Sequence, residues 1–566
     1  MKLASLPCAV LALSLLSSPA PAALTAEQKE LDFRIAAAEY AKLYGPYEWK
    51  RDVVGFDLYN LSPWIARARA TKTDIEFYEV MGQYVASLQD SHASFQLYSS
   101  FSYSLPLHAD LYDGKAIVDG ISRVQLPASQ FPIQIGDEVV LVNGRPVDEV
   151  IQANSLLVPA ANVWARRRAA LGRVFIGTQI TDPLAYKIGD TVELTIKSRT
   201  TGAEATYTIP VSKSGQPLEE GGTTPSPVFR ASPDAAPAPA AEPDDYFPPW
   251  VTALAPLQNA RVESPDHAIL SFGSRPGFTL PAGFVQRLGR LSTDDYFSGT
   301  FSSGGQRIGY LRIPTFTPKN TPAATLRQFE TEIQFFNENT DGLILDIMRN
   351  PGGNACYADE LLRRVIPGGF RSALFEIRAS YVYASFYKDA VDALTSAGAP
   401  PQLIATYQGF LDEVLSAAGR SRGRTVPLPL CSDSADRTAA AIVYSKPAIL
   451  LADELTASAG DLFAASFQDA RRGPIFGFRT NGAGGTVQPR ESAPYSEFST
   501  STTLSLMYRA REAAIQGYPV THYVENVGVW PDVPYNYMSL DNLLSGGAAF
   551  RDSAIATLVG EITRSR

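Results

Sequence analysis

The sequence predicts a multidomain α/β protein, and three observations carry that reading. At 566 residues, the chain is several times the usual size of one core and suggests three or four domains. Its periodicity changes from helical over about residues 24 to 100 to short alternating strands over about 104 to 213. A buried strand within Asp341 to Gly353 ends in a Pro-Gly-Gly turn, and a second, the apolar run Ala448 to Ala452, leads through a tight turn of small residues into a helix.

The elements follow in order. Met1-Lys2-Leu3 runs into an apolar stretch, Ala9 to Leu16, and then into Ser17-Ser18-Pro19-Ala20-Pro21-Ala22-Ala23. A positive start, a short apolar run and a small-residue exit describe a secretory signal over residues 1–23, cleaved near Ala22 or Ala23 and taking Cys8 with it. The product is expected to be secreted, extracellular or periplasmic, without an integral membrane segment, since no later run approaches the ~20 apolar residues that span a bilayer. Residues 24–103 read as a helical N-terminal domain, with one helix from Ala23 to Tyr44 and another from about Asp74 to Gln89 that delivers His92 at its end. Residues 104–213 read as mostly β, with a Gly136-Asp137 turn, an Asn143-Gly144 hairpin signal, a helical insertion at about 148–172 and a strand from Thr191 to Ile196. Residues 214–250 are rich in Pro, Ala, Gly and acids and read as a linker or surface loop. Residues 251–566 form the largest unit, interrupted at about 375–437 by an insertion that is helical from Tyr387 to Leu394 and from Ile404 to Ala418. That insertion suits a lid or the contact surface of a homodimer equally.

Composition narrows the function. A net charge of −9 with 19% charged residues argues against nucleic acid as a partner, because phosphate contacts need concentrated Lys and Arg. The one basic run, Arg166-Arg167-Arg168, reads as a solvated helix face. With neither a His-Glu-x-x-His helix nor paired Cys-x-x-Cys, no metal site and no cofactor are expected. Cys356 and Cys431 remain after export, either bonded to each other or as two buried thiols.

The chemistry centres on Thr456-Ala457-Ser458-Ala459-Gly460-Asp461. After a buried strand this stretch is either an ordinary Ser cap or a nucleophile turn, whose hydroxyl stands at a helix N-terminus with free amides for an oxyanion. Asp341 to Gly353 reads as a second buried strand ending in a Pro-Gly-Gly turn that can expose consecutive amides. With Gly309 to Phe316, Asn350-Pro351-Gly352-Gly353, Gly485-Thr486-Val487-Gln488 and Gly528-Val529-Trp530-Pro531-Asp532 in this order, the chain resembles the S41 family of tail-specific, or C-terminal processing, serine peptidases. The resemblance covers roughly residues 300 to 540. It implies a crotonase-like β/α superhelix as the peptidase core, while Ile135 to Val147 resembles the centre of a PDZ domain.

One departure matters for mechanism. The Lys that serves as general base in the bacterial processing branch falls on Gly484, so Ser458 needs another base. Leu88 to Phe95 resembles the histidine motif of the Ser-His-Glu branch, which includes tricorn protease and the chlamydial protease-like activity factor. That resemblance implies His92 as base and Glu525, ahead of Gly528-Val529, as the acid that orients it. Amides at Gly352 or Gly353 and at Ala459 would hold the oxyanion, and Ser91 is a candidate assistant. His108, His267 and His522 read as structural or surface residues. The expected function is a secreted serine endopeptidase acting on protein or peptide substrates. Its rivals are a catalytically silent binding protein of the same fold and, fitting the export signal poorly, a crotonase-type acyl-CoA enzyme.

Overall fold

The structure is a computed structural model that describes residues 23–218, 273, 275–432, 434–491, 493–496 and 498–566. The expected signal segment, most of the expected linker and His267 lie outside the described residues.

A seven-stranded sheet organises the large unit. Its strands lie in chain order: Val285–Gln286, Phe297–Ser303, Gln306–Arg312, Gly342–Asp346, Ala448–Ala452, Ile475–Gly477 and Val533–Pro534. The first three pair antiparallel and the rest parallel, in register Leu343↔Ala448 to Asp346↔Leu451 at the centre. Both central strands are buried throughout, which is why they read as continuous apolar runs rather than alternating ones. The helix Pro322–Asn339, capped by Thr321, buries Leu326, Phe329, Ile333 and Phe336. The helix Ala459–Asp469 is buried along nearly its whole length. Parallel strands that are followed by buried helices end at one rim, where open α/β sheets place their sites.

Four helices, Ala26–Leu43, Tyr47–Val54, Ser62–Ala70 and Asp74–Ser87, build the N-terminal arm around Phe33, Tyr40, Met81 and Tyr84. A Thr25–Gln28 capping box starts the first of them. The arm does not end as a separate body. Its exit strand, Ser94–Leu97, pairs antiparallel with Phe498–Thr503, which in turn pairs with Val487–Glu491. A strand directly after His92 is thereby sewn to residues some 400 positions later, Ser94 opposite Ser501.

Between them lies a sheet in the order Leu107–Tyr112, Lys115–Ile121, Glu138–Val142, Thr191–Lys197, Glu204–Pro210. The hairpin from Val142 to Arg145 closes through Asn143 (φ 48°) and Gly144 (φ 76°), the left-handed pair that a two-residue turn of this hand requires. The expected helical insertion is two helices, Val147–Ser155 and Val163–Phe175. The basic run in the second is not a solvated face. Arg167 is half-buried beside Asp148, but Arg168 is 3% exposed and donates to Asp110 and to Glu454 of the large unit. Its charge is used to weld two units, which a reading of local periodicity cannot detect.

The insertion is a pair of packed helices, Tyr381–Ser396 and Pro401–Gly419, joined through Tyr387, Tyr407 and Phe410. Cys356 and Cys431 are bonded, with Cα atoms 5.0 Å apart.

Candidate active site

Ser458 stands between the strand Ala448–Ala452 and the helix Ala459–Asp469, with φ 56° and ψ −116°. That is not the extended backbone of an ordinary N-cap. It is a region L-residues adopt at a cost of roughly 1–3 kcal/mol, retained where surroundings over-determine it. The surroundings do so here. Asp461, fully buried, accepts from the Ser458 amide at 2.9 Å, from the Gly482 and Ala483 amides at 2.9 and 3.0 Å, and from the Thr480 hydroxyl. Burial pushes its carboxyl up to about 6 despite these donors. Thr456 donates its hydroxyl to the Ile347 carbonyl at 2.9 Å, and the Ala457 amide donates to the Asn350 carbonyl at the same distance.

The Pro-Gly-Gly turn packs directly on this turn. A Cβ on Gly352 would lie 2.6 Å from Ser458 Cβ and 3.0 Å from the Ala459 nitrogen, so only glycine fits there. Gly352 and Gly353 have φ 100° and 132°. The two amides are not equivalent. Gly352 donates to Asn350 Oδ1 at 2.8 Å, which removes it from the expected oxyanion donors. The Gly353 and Ala459 amides carry no hydrogen bond among the described residues, and Ala459 opens the helix with its partial positive charge. Asn350, 0% exposed, also donates Nδ2 to the Ile313 carbonyl at 2.9 Å, so its side chain fastens the glycine turn to the end of the strand Gln306–Arg312.

His92 is buried at 8% exposure. Its amide donates to Asp90 Oδ1 at 2.9 Å and its carbonyl accepts from the Ser501 hydroxyl at 2.5 Å. Asp90 also accepts from the Tyr44 and Thr503 hydroxyls, each at 2.8 Å. Burial raises the Asp90 carboxyl, but Lys50, His92 and these hydrogen bonds outweigh it and hold it below its ordinary value. Ser91 was expected to assist the reaction. Its hydroxyl instead donates to Asn481 Oδ1 at 2.7 Å and accepts the Ala161 amide at 2.9 Å. Asn481 in turn donates its amide to the Thr456 carbonyl at 2.7 Å and Nδ2 to the Glu454 carbonyl. Ser91 is a brace between the turn that carries His92 and, through Asn481, the turn that carries Ser458.

Glu525 is 0% exposed. Its Oε2 accepts the Gly484 amide at 2.8 Å and its Oε1 is bonded to the Lys50 ammonium. The direct bond to the His92 ring expected from the sequence is not what these oxygens make. Burial, and next the Asp90 charge, raise the Glu525 carboxyl to about 8 against the pull of Lys50. The vacant Lys position has a steric cause: a Cβ on Gly484 would meet the Glu525 nitrogen at 2.6 Å. Lys50, far away in sequence and in an unremarkable helix, carried no signal that could have marked it. Asp461 and Asn350 were inside the quoted motifs, but their hydrogen bonds are tertiary.

The remaining residues are structural. His108 Nδ1 lies 2.6 Å from Asp119 Oδ1. His522 bonds the Arg509 carbonyl and stacks on Tyr508. The Cys356–Cys431 bond fastens the helix Ala355–Leu362, which follows the glycine turn, to the segment after the insertion helices. Among the described residues no cluster of three or more His, Cys, Asp or Glu could hold a metal ion, and no helix is long and apolar enough to cross a membrane.

Residues 307–534 match the model of peptidase family S41, and residues 101–212 match a PDZ domain model. A protein from Chlamydia trachomatis serovar D is 26% identical over 557 residues, covering 90% of this chain and 88% of the relative. The crystal structure of mature CPAF superposes with a TM-score of 0.74, covering 95% of this chain and 98% of that one at 19% identity. CPAF complexed with lactacystin gives 0.73, with 96% and 99% covered at 20% identity. The fold is therefore shared over most of the chain.

Proposed function

Since the chain is a serine-type peptidase of family S41 with a PDZ domain, we propose that it is a secreted endopeptidase that cuts peptide bonds through an acyl-enzyme on Ser458, with His92 and Glu525 completing the site. The observation that carries this is the strained Ser458 turn, held at φ 56° with Gly352 packed against it. A cap needs no such backbone, whereas a hydroxyl pushed out of the helix register toward a carbonyl does.

In this reading the Ser458 oxygen attacks the scissile carbonyl carbon while His92 takes its proton. The developing oxyanion is received by the Gly353 and Ala459 amides. His92 returns the proton to the leaving amine as the C–N bond breaks, and a water activated by the same imidazole then releases the acyl group. The Glu525 carboxylate supplies negative charge against the transient imidazolium. The substrates are proteins or peptides, and no cofactor enters any step.

The deciding experiment is labelling of the purified protein with a fluorophosphonate, with and without Ser458→Ala, alongside casein cleavage. Labelling and cleavage are expected in the native protein alone. Lactacystin, the ligand of the CPAF complex, is expected to compete with the label. Undiminished casein cleavage by Ser458→Ala would falsify the assignment.

A further inference from the structure

Lys50 lies in the helix Tyr47–Val54 and is 0% exposed. Removing an ammonium from water costs several kcal/mol unless its donors are all matched. Here they are. Nζ donates to the Gln89 carbonyl at 2.7 Å, to Asn526 Oδ1 at 2.8 Å and to Glu525 Oε1, three acceptors for three protons. A Met in this place would fill the same volume without the desolvation, so packing does not account for a charge.

The acceptors belong to two segments. Gln89 immediately precedes Asp90-Ser91-His92 and has φ 51°, which ends the helix Asp74–Ser87 and turns the chain toward the histidine. Glu525-Asn526 lies more than 400 residues later. The same junction is tied a second time, since Asn526 Nδ2 donates to the Gln89 carbonyl and to the Ala161 carbonyl, each at 2.9 Å. Lys50 is the only positive side chain in this knot among the described contacts.

Resting on the Ser458–His92–Glu525 reading, we infer that Lys50 is a positioning residue of the reaction, which acts through Glu525 by supplying the counter-charge to its carboxylate at the junction with the turn that carries His92. The charged and titratable groups facing Glu525 are Lys50 from its helix, Asp90 from the histidine turn and the Tyr44 phenol from the end of the preceding helix, with His92 beyond Asp90. Burial and Asp90 both favour the protonated acid, and Lys50 opposes them. Without the ammonium the acid keeps its proton to higher pH, and a neutral carboxyl cannot balance an imidazolium.

The test uses the full chain and a fluorogenic peptide, with kcat and KM measured across about pH 5 to 10. Lys50→Met is expected to move the acid limb of the kcat profile upward by about one pH unit, and so to lower kcat roughly tenfold near neutrality, where the native protein already lies on that limb, with little change in KM. Lys50→Arg, which keeps the charge, is expected to return the limb to its native position. An unmoved limb in folded Lys50→Met, with an equal loss at every pH, overturns the inference. Where Lys50→Met does not melt cooperatively, the comparison passes to Glu525→Gln with and without Lys50→Met, in which no carboxylate is left to need a counter-charge. Equal rates for that pair support a role exercised through Glu525, and a further tenfold loss overturns it. Native turnover in Ser458→Ala overturns the parent reading as well, whereas an inactive Ser458→Ala with an unmoved limb in Lys50→Met removes this inference alone.

Discussion

Ser458 differs from an ordinary capping serine only in its backbone, and that difference sets what its substitution does. Ala at 458 removes one hydroxyl while leaving Asp461 on the amide, so Ser458→Ala is expected to fold with a near-native Tm yet lose about 10⁴- to 10⁶-fold in kcat. His92→Ala should lose nearly as much, because nucleophile and base act as a unit; rates within a few-fold of native in His92→Ala would exclude it as the base. Gly484 gives a sharper test. The Lys of the bacterial processing branch cannot be restored there, since the first side-chain carbon already collides with the Glu525 backbone. Gly484→Lys is therefore expected to lower both Tm and activity, and a gain of activity, or an unchanged Tm, would contradict the packing described.

At the scale of elements, the site is two strand ends and two turns held by buried polar side chains. The Asn350 side chain ties the glycine turn to Ile313 and its carbonyl ties it to the Ser458 turn, and Asp461 ties the Ser458 turn to residues 480–483. Both work because a buried acceptor with matched donors is far cheaper than a broken one. The disulfide acts on a longer element. It closes a loop of sequence separation 75 around both insertion helices, and the double variant Cys356→Ser with Cys431→Ser is expected to lose about 2–4 kcal/mol of stability. Chemical denaturation of oxidised protein and double variant checks this, and coincident midpoints would refute it.

Across the whole molecule, buried carboxyls govern the response to pH. Asp32, Asp359 and Asp461 are pushed up to about 6 and Glu525 to about 8, in each case chiefly by burial. A raised group holds its proton more tightly when folded, so its stabilisation is complete below the unfolded pKa and is lost as pH rises through the folded one. Asp90, Asp110 and Glu360, also buried, are held below their ordinary values by neighbouring cations that outweigh burial, and they lose stabilisation as pH falls. The two sets together place the highest Tm near about pH 5, with a decline toward about pH 8. Asp359→Asn should make that decline shallower between about pH 5 and 6; thermal melts across the range test it, and an unchanged slope would count against a raised Asp359 carboxyl.

Local chemistry was legible from the residues alone. Apolar runs marked the central strands, Asn143-Gly144 marked a hairpin, and small residues around Ser458 and after Pro351 marked two turns, because strand burial, left-handed backbone and close approach each restrict which side chains a position accepts. The same residues carried the family resemblance. What they could not carry was any partner chosen across hundreds of positions. Lys50 on Glu525, Ser91 on Asn481, Arg168 between Asp110 and Glu454, and the loss of the Gly352 amide to Asn350 were decided by the fold. A buried charge or hydroxyl must be satisfied by whatever group the packed chain brings within 3 Å or so of it, and that group has no signature in the sequence around either partner.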